Sequence, residues 1–289
     1  MSRYRFALRP MWILSHVFVL VMMVTMVRLG FWQLDRLDQK RERNARFVER
    51  SEQPVADVRE LGPASDYESF DAASALEYRT ASATGRYLAD EEVIVRSRTY
   101  DTAPGSWVLT PLQLDDGSIV IVNRGWIPNA GQYDAVPEAY AAPSGEVTAT
   151  GLVRTTEERG SIGPKDPATG ELTSLARVDV GRLEQQIDGD VLPFYLQLAT
   201  QDPALGEGDP IPVDPPALDE GPHLSYAIQW FTFTGLTAIV YVLILRKKRN
   251  DLERAERLGE DDGPDAAPRD LATDGAVVAG AAPADGAGA

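Results

Sequence analysis

Residues 224–245 read LSYAIQWFTFTGLTAIVYVLIL, twenty-two positions without a charge. A helix of that length crosses a bilayer, and buried core helices are rarely so long and so uniformly apolar. Asp214, Asp219 and Glu220 precede the run, and Arg246, Lys247, Lys248 and Arg249 follow it directly. The positive-inside rule therefore predicts a cytoplasmic C-terminus.

A second apolar run lies near the other end, where residues 11–27 read MWILSHVFVLVMMVTMV. Seventeen residues make ~25 Å of helix. Continuing through Leu29, Phe31 and Trp32, with Arg28 snorkelling outward, brings it to bilayer length. A cleaved signal peptide is the rival reading, but GFWQLDRLDQK follows rather than a small-residue cleavage site. Arg3, Arg5 and Arg9 before this span, and Arg28, Arg36, Lys40, Arg41 and Arg43 after it, leave its own orientation ambiguous. The second span settles the expectation, because an even number of spans puts both termini in the cytoplasm. The predicted order is a cytoplasmic N-terminus at 1–10, a transmembrane helix at 11–31 and an extracytoplasmic domain at 32–223. A second transmembrane helix at 224–245 and a cytoplasmic tail at 246–289 complete it.

The 28 basic and 44 acidic residues leave a net charge of −16, and a mean hydropathy of −0.22 hides the two spans. Residues 30–245 hold 17 basic and 34 acidic side chains, so the middle carries essentially all the excess acid. A general nucleic-acid binder is excluded, since that needs a basic footprint. Of the last 31 residues, 25 are Ala, Gly, Pro or Asp, a composition that cannot bury a core. Disorder is expected from about residue 259.

After the first span Leu34, Leu37, Ala45 and Val48 recur at helical spacing, which predicts that the helix continues into water. Arg36, Lys40, Arg43 and Arg50 run along another face, laced with Asp35, Asp38, Glu42 and Glu49 as a solvated face would be. Beyond Pro54 the pattern turns strand-like at 78–87, 93–98, 107–114, 118–123, 147–153, 172–178 and 193–199, with one short helix at 180–187. Asp116-Gly117 signals a two-residue hairpin. These strands predict an antiparallel β-rich (α+β) domain, of which a small barrel is one form. Six prolines from Pro203 to Pro222 make a stiff, extended approach to the second span.

The chemistry open to the middle domain is narrow. There is no cysteine in the chain, and residues 30–222 contain neither histidine nor methionine. Copper and zinc sites are therefore not expected, and a histidine-based catalytic triad has no base. Asp115-Asp116 reads as a turn element, and no phosphate-binding glycine loop is present. The chain is not expected to be an enzyme. Interest falls instead on the start of the second span, where His223, Tyr226, Ala227 and Trp230 share one helical face. Two readings stand open: an aromatic belt with a helix-start histidine, or a porphyrin site with one imidazole for iron and aromatic faces beside it. His16 lies ~22 Å along its own helix from Phe31, too deep to share one iron with His223. Arg124-Gly125-Trp126 likewise reads either as architecture or as a docking surface.

Three stretches carry a family resemblance. Leu29-Gly30-Phe31-Trp32-Gln33-Leu34-Asp35-Arg36, ending in Lys40, resembles the LGxWQxxRxxxK signature of the SURF1 family. Val122-Asn123-Arg124-Gly125-Trp126-Ile127-Pro128 resembles its VNRGWVP segment, and His223-Leu224-Ser225-Tyr226-Ala227-Ile228-Gln229-Trp230 its HxxYAxQW segment. Lesser echoes are Gly85 before Tyr87, Pro111-Leu112 and Gly151-Leu152-Val153-Arg154. The resemblance implies an assembly factor of haem–copper cytochrome c oxidase, acting as haem a enters the catalytic subunit. It implies haem a as cargo with His223 as the iron ligand, beside Tyr226 and Trp230, and propionates paired by Arg36 or Arg124. The implied partners are oxidase subunit I, the haem a synthesis machinery and membrane lipid. The alternative is a cofactor-free scaffold or chaperone holding an oxidase subunit, with Trp32, Gln33, Lys40, Gly125, Trp126, Pro128 and Gln229 as packing and docking residues. With the first span beginning ten residues in, a bacterial plasma membrane is expected rather than an organelle.

Overall fold

The computed structural model describes residues 5–61, 72–128, 134–161 and 163–261. The tail expected to be disordered lies almost wholly outside them. The chain divides into two compact units, one made of the terminal segments up to Gln33 and from Leu224, the other spanning Leu34–His223.

In the second unit, five strands close into a barrel: β2 (Thr80–Tyr87), β6 (Glu146–Arg154), β8 (Asp190–Asp202), β5 (Ser118–Pro128) and β4 (Ala103–Leu114). The ring shuts where β4 returns to β2, with Gly85 opposite Leu114 and Tyr87 opposite Leu112. Four seams are antiparallel as expected, whereas β5 and β8 pair in parallel. A short β1 (Ala56–Asp57) extends the sheet beyond β2. On the other side β3 (Val93–Tyr100) and β7 (Ser174–Leu175) continue it past β4.

Two patterns in the sequence follow from this arrangement. Strands β2 and β6 alternate small or apolar residues with polar ones, because only one face of each is covered: Ala81, Ala83, Val147, Ala149 and Val153 point into the barrel. Strands β5 and β8 each carry an unbroken apolar run, at 119–122 and 191–196, because both faces are buried there. Val120, Val122, Leu192, Phe194, Leu196 and Leu198 fill the interior. Ile119, Ile121, Val191 and Tyr195 meet an outer layer of Val93, Val95, Leu175, Val178, Val180 and Leu183. That outer layer includes the helix α2 (Val180–Glu184), capped by Asp179, whose carboxylate accepts the Arg182 N–H at 3.0 Å.

Three local expectations are corrected. The β4–β5 turn has three residues, 115–117, rather than two, with Gly117 at φ +89° and the Asp116 carboxylate accepting from both the amide and hydroxyl of Ser118. Those bonds hold the Asp116 carboxyl below the usual range. The strand expected at 172–178 shrinks to β7, because side chains take its backbone donors: Leu172 N–H goes to Gln186, Ala176 N–H to Asp166 and Val178 N–H to Glu157. The helix at 180–187 ends at Glu184.

The first unit holds α1 (Pro10–Ser51) as far as Gln33, with the N-terminal apolar run, and α3 (His223–Asp261) from Leu224, with the C-terminal one. As the spacing predicts, α1 continues well past its apolar part. Both helices are long and apolar enough to cross a membrane, and their apolar windows are not buried within the protein. At Gly30 a Cβ would come within 2.7 Å of the Phe231 ring, and Phe31 meets that ring edge-on at 5.5 Å. Glycine thus lets the two helices approach. His16 is bonded at both ring nitrogens, Nδ1 to the Tyr241 hydroxyl at 2.6 Å and Nε2 to the Ala7 carbonyl at 3.1 Å. It ties helix to helix as a polar residue within the span.

Barrel closure depends on missing side chains. A Cβ on Gly85 would overlap the Gln113 carbonyl, and one on Gly151 the Gln197 carbonyl. We expect Gly85→Val to open the β2–β4 seam and cost about 1–3 kcal/mol, measured as a lowered thermal midpoint of the detergent-solubilised protein.

Candidate functional site

The proline-rich approach is held by side chains and backbone of other elements. Gln197 in β8 donates to the carbonyls of Val213 and Asp214, at 2.9 and 3.1 Å. Trp126 in β5 exchanges two backbone bonds with Ile211, at 2.7 and 2.9 Å. Gly125 allows this at φ +136°, where a Cβ would overlap the Ile211 carbonyl. Nearer the helix start, Asn44 of α1 donates to the carbonyls of Leu218 and Asp219. Arg41 grips Glu220 with two bonds of 2.9 Å, and Lys40 reaches Asp219 at 3.4 Å. Arg41 holds the Glu220 carboxyl below the usual carboxylate range. The chain then turns at Gly221, φ +67°, and delivers His223.

His223 lines a groove of about 430 Å³ together with Arg36, Gln39, Lys40, Glu42, Arg43 and Arg46. Four cations therefore converge beside one imidazole, with Glu42 as the only acid on the lining. Such a groove suits a ligand that carries carboxylates and a metal able to accept an imidazole nitrogen. Among the described residues no cluster of three or more His, Asp or Glu is placed to hold a bare metal ion.

Of the residues singled out from the sequence, Arg36, Lys40 and His223 come together here. Arg124 lies elsewhere, fully buried in the barrel wall. Its guanidinium pairs with Glu92 at 2.9 Å, donates to the carbonyls of Tyr140 and Ala141 and stands 3.7 Å from Asp209 of the approach. Trp126 donates its indole N–H to the Arg98 carbonyl, and Pro128 closes β5 at the surface. In the unit with the apolar helices, Trp32 and Tyr226 are about half exposed, Gln229 is exposed and Trp230 meets Phe233 edge-on at 6.3 Å. Gln33 sits on α1 beside Trp32, partly buried. The sequence reading missed Gln39 and Arg46 as groove residues, and Arg41 and Asn44 as clamps. Arg46 continues the basic stripe at helical spacing, so the signal was present in the pattern. The clamps had none, because their partners are about 175 residues away.

A profile of the SURF1 family matches residues 20–235. The chain belongs to the SURF1 family. An uncharacterized SURF1-like protein of Mycobacterium tuberculosis is 31% identical over 258 residues, covering 86% of this chain and 90% of its own. A SURF1-like protein of Monosiga brevicollis is 29% identical, covering 77% and 84%, and one of Rickettsia bellii is 24% identical, covering 84% and 96%. The SURF1 family is associated with oxidase assembly. Its profile spans the stretches around Trp32, Arg124 and His223 described above.

The Arg124–Glu92 pair gives a pH-dependent expectation. Burial pushes the Glu92 carboxyl up, while Thr110 and Arg124 pull it back. Its proton is thus held more tightly in the folded chain than in the unfolded one, so this group contributes less stability as pH rises. Arg124→Met removes the compensating cation and should cost about 3–5 kcal/mol near pH 8, and less near pH 5. Adding Glu92→Gln should abolish that pH difference, read by thermal unfolding at both pH values.

Proposed function

We propose that this chain carries haem a to the catalytic subunit of haem–copper cytochrome c oxidase during its assembly, acting as a carrier rather than an enzyme. One observation carries the reading: the groove that sets the His223 imidazole beside Arg36, Lys40, Arg43 and Arg46. The haem brings an iron that accepts an imidazole nitrogen and two propionates that accept N–H bonds. His223 is the iron ligand on this reading, and Arg36 and Arg43 are the propionate partners, because guanidinium matches carboxylate bidentately. Tyr226 and Trp230 follow His223 by one and two turns of α3. Arg124, consumed within the barrel wall, keeps an architectural role.

The charge flanking α3 supports an orientation with both termini cytoplasmic and the barrel outside, in what we take to be a bacterial plasma membrane. Oxidase subunit I and the haem a synthesis machinery are the partners that this role requires, one receiving the haem and the other supplying it.

Protein purified from a haem-a-producing host should show a Soret band and a haem a pyridine haemochrome. His223→Ala should abolish both. Unchanged haem content in that variant would overturn the reading. A haem-free wild type that still co-purifies with subunit I would replace it with a cofactor-free scaffold.

A further inference from the structure

From Pro215 to Gly221 the approach makes no backbone-to-backbone hydrogen bond to a barrel strand or to α1 among the described residues. What fixes it there is side-chain contact with one face of α1. Asn44 takes two successive carbonyls, those of Leu218 and Asp219, and Arg41 takes the carboxylate of the next residue, Glu220, through both oxygens. Three consecutive residues are thereby registered against α1, and His223 follows three positions later. The groove residues on α1 are near neighbours of the clamps: Lys40 adjoins Arg41, and Arg43 adjoins Asn44. The same helix therefore holds both the groove wall and the handle that presents the imidazole to it.

We infer that Arg41 and Asn44, with Glu220 as acceptor, are positioning residues that set His223 over the basic groove. This rests on the reading of that groove as the haem site, but the positioning itself can be tested without haem. Two opposed charges meeting bidentately make a pair that can be exchanged, since swapping them preserves the attraction while reversing its direction. Gly221 turns at positive φ between Glu220 and the start of α3. A Cβ on it would lie 3.4 Å from the imidazole Cδ2.

The chain has no cysteine, so two introduced ones can be read without background. With Gln39→Cys and His223→Cys in the full-length protein in membranes, a short bifunctional maleimide should join the two across the groove. Arg41→Glu, or Glu220→Arg, should slow that reaction roughly fivefold, the scale of an exposed but bidentate pair plus the repulsion the reversal adds. The double exchange Arg41→Glu with Glu220→Arg should restore the rate. Rates unchanged by the single reversals, or not recovered in the double exchange, would overturn the inference. In the cysteine-free protein the same single reversals should lower haem occupancy and shift the Soret maximum, and the double exchange should recover both. If His223→Ala abolishes haem while the reversals leave occupancy and spectrum intact, the positioning inference fails alone. If His223→Ala keeps its haem, the site reading fails, and the cross-linking rates still decide the positioning.

Discussion

A proline-rich segment cannot supply its own ladder of hydrogen bonds, and residues 203–222 must nevertheless end with His223 in a defined place. The chain meets this constraint with bonds from three earlier elements: the Gln197 side chain on β8, the Arg124 side chain and Trp126 backbone on β5, and the Arg41 and Asn44 side chains on α1. Each is rigid in its own right, the first two within a barrel wall buried on both faces, the third on a long helix. Remove that support and the approach is an extended chain with few internal ties. The family's VNRGW stretch thereby acquires a physical meaning. Arg124 binds the barrel together from inside, Gly125 lets another backbone pass close, and Trp126 pairs with it.

The electrostatics follow the same division. The domain is strongly acidic overall, yet the basic side chains of α1 are gathered along one groove rather than dispersed. A surface that repels anions generally but admits them at one cationic cleft is selective by position, since screening limits each field to about 10 Å at ordinary salt. The charged residues along α1 thus have distinct duties. Arg41 is neutralised by Glu220, Arg50 donates to the carbonyls of Ser74 and Glu77, and Arg36, Lys40, Arg43 and Arg46 line the cleft.

Much of this was readable from residues alone, for reasons that differ by element. The spans announce themselves through uninterrupted apolarity, and β2, β4, β5, β6 and β8 through apolar runs bounded by turns. Strand 172–178 misleads because its pattern is apolar but its N–H groups are claimed by Asp166 and Glu157, distant carboxylates that no local signal reveals. The parallel β5–β8 seam is equally hidden, since pairing direction is a property of the closed ring. His223 and Arg36 could be named from motif and spacing, but their convergence depends on Arg41, Asn44 and Glu220 meeting across the length of the domain. Arg124 looked like a cation available to a ligand until its burial placed it among carbonyls and Glu92.

The order of the ring has a consequence for how the protein is made. β8 is the last strand to be synthesised, and it sits between β6 and β5, so no closed cylinder can exist until residue 202 has emerged. Only about twenty residues then separate ring closure from α3. Until that moment β5 and β6 each present an unpaired edge, which invites association with other nascent chains. Completion of the cylinder and arrival of the second apolar helix are thus nearly one event, and the strap between them is fastened at the same time.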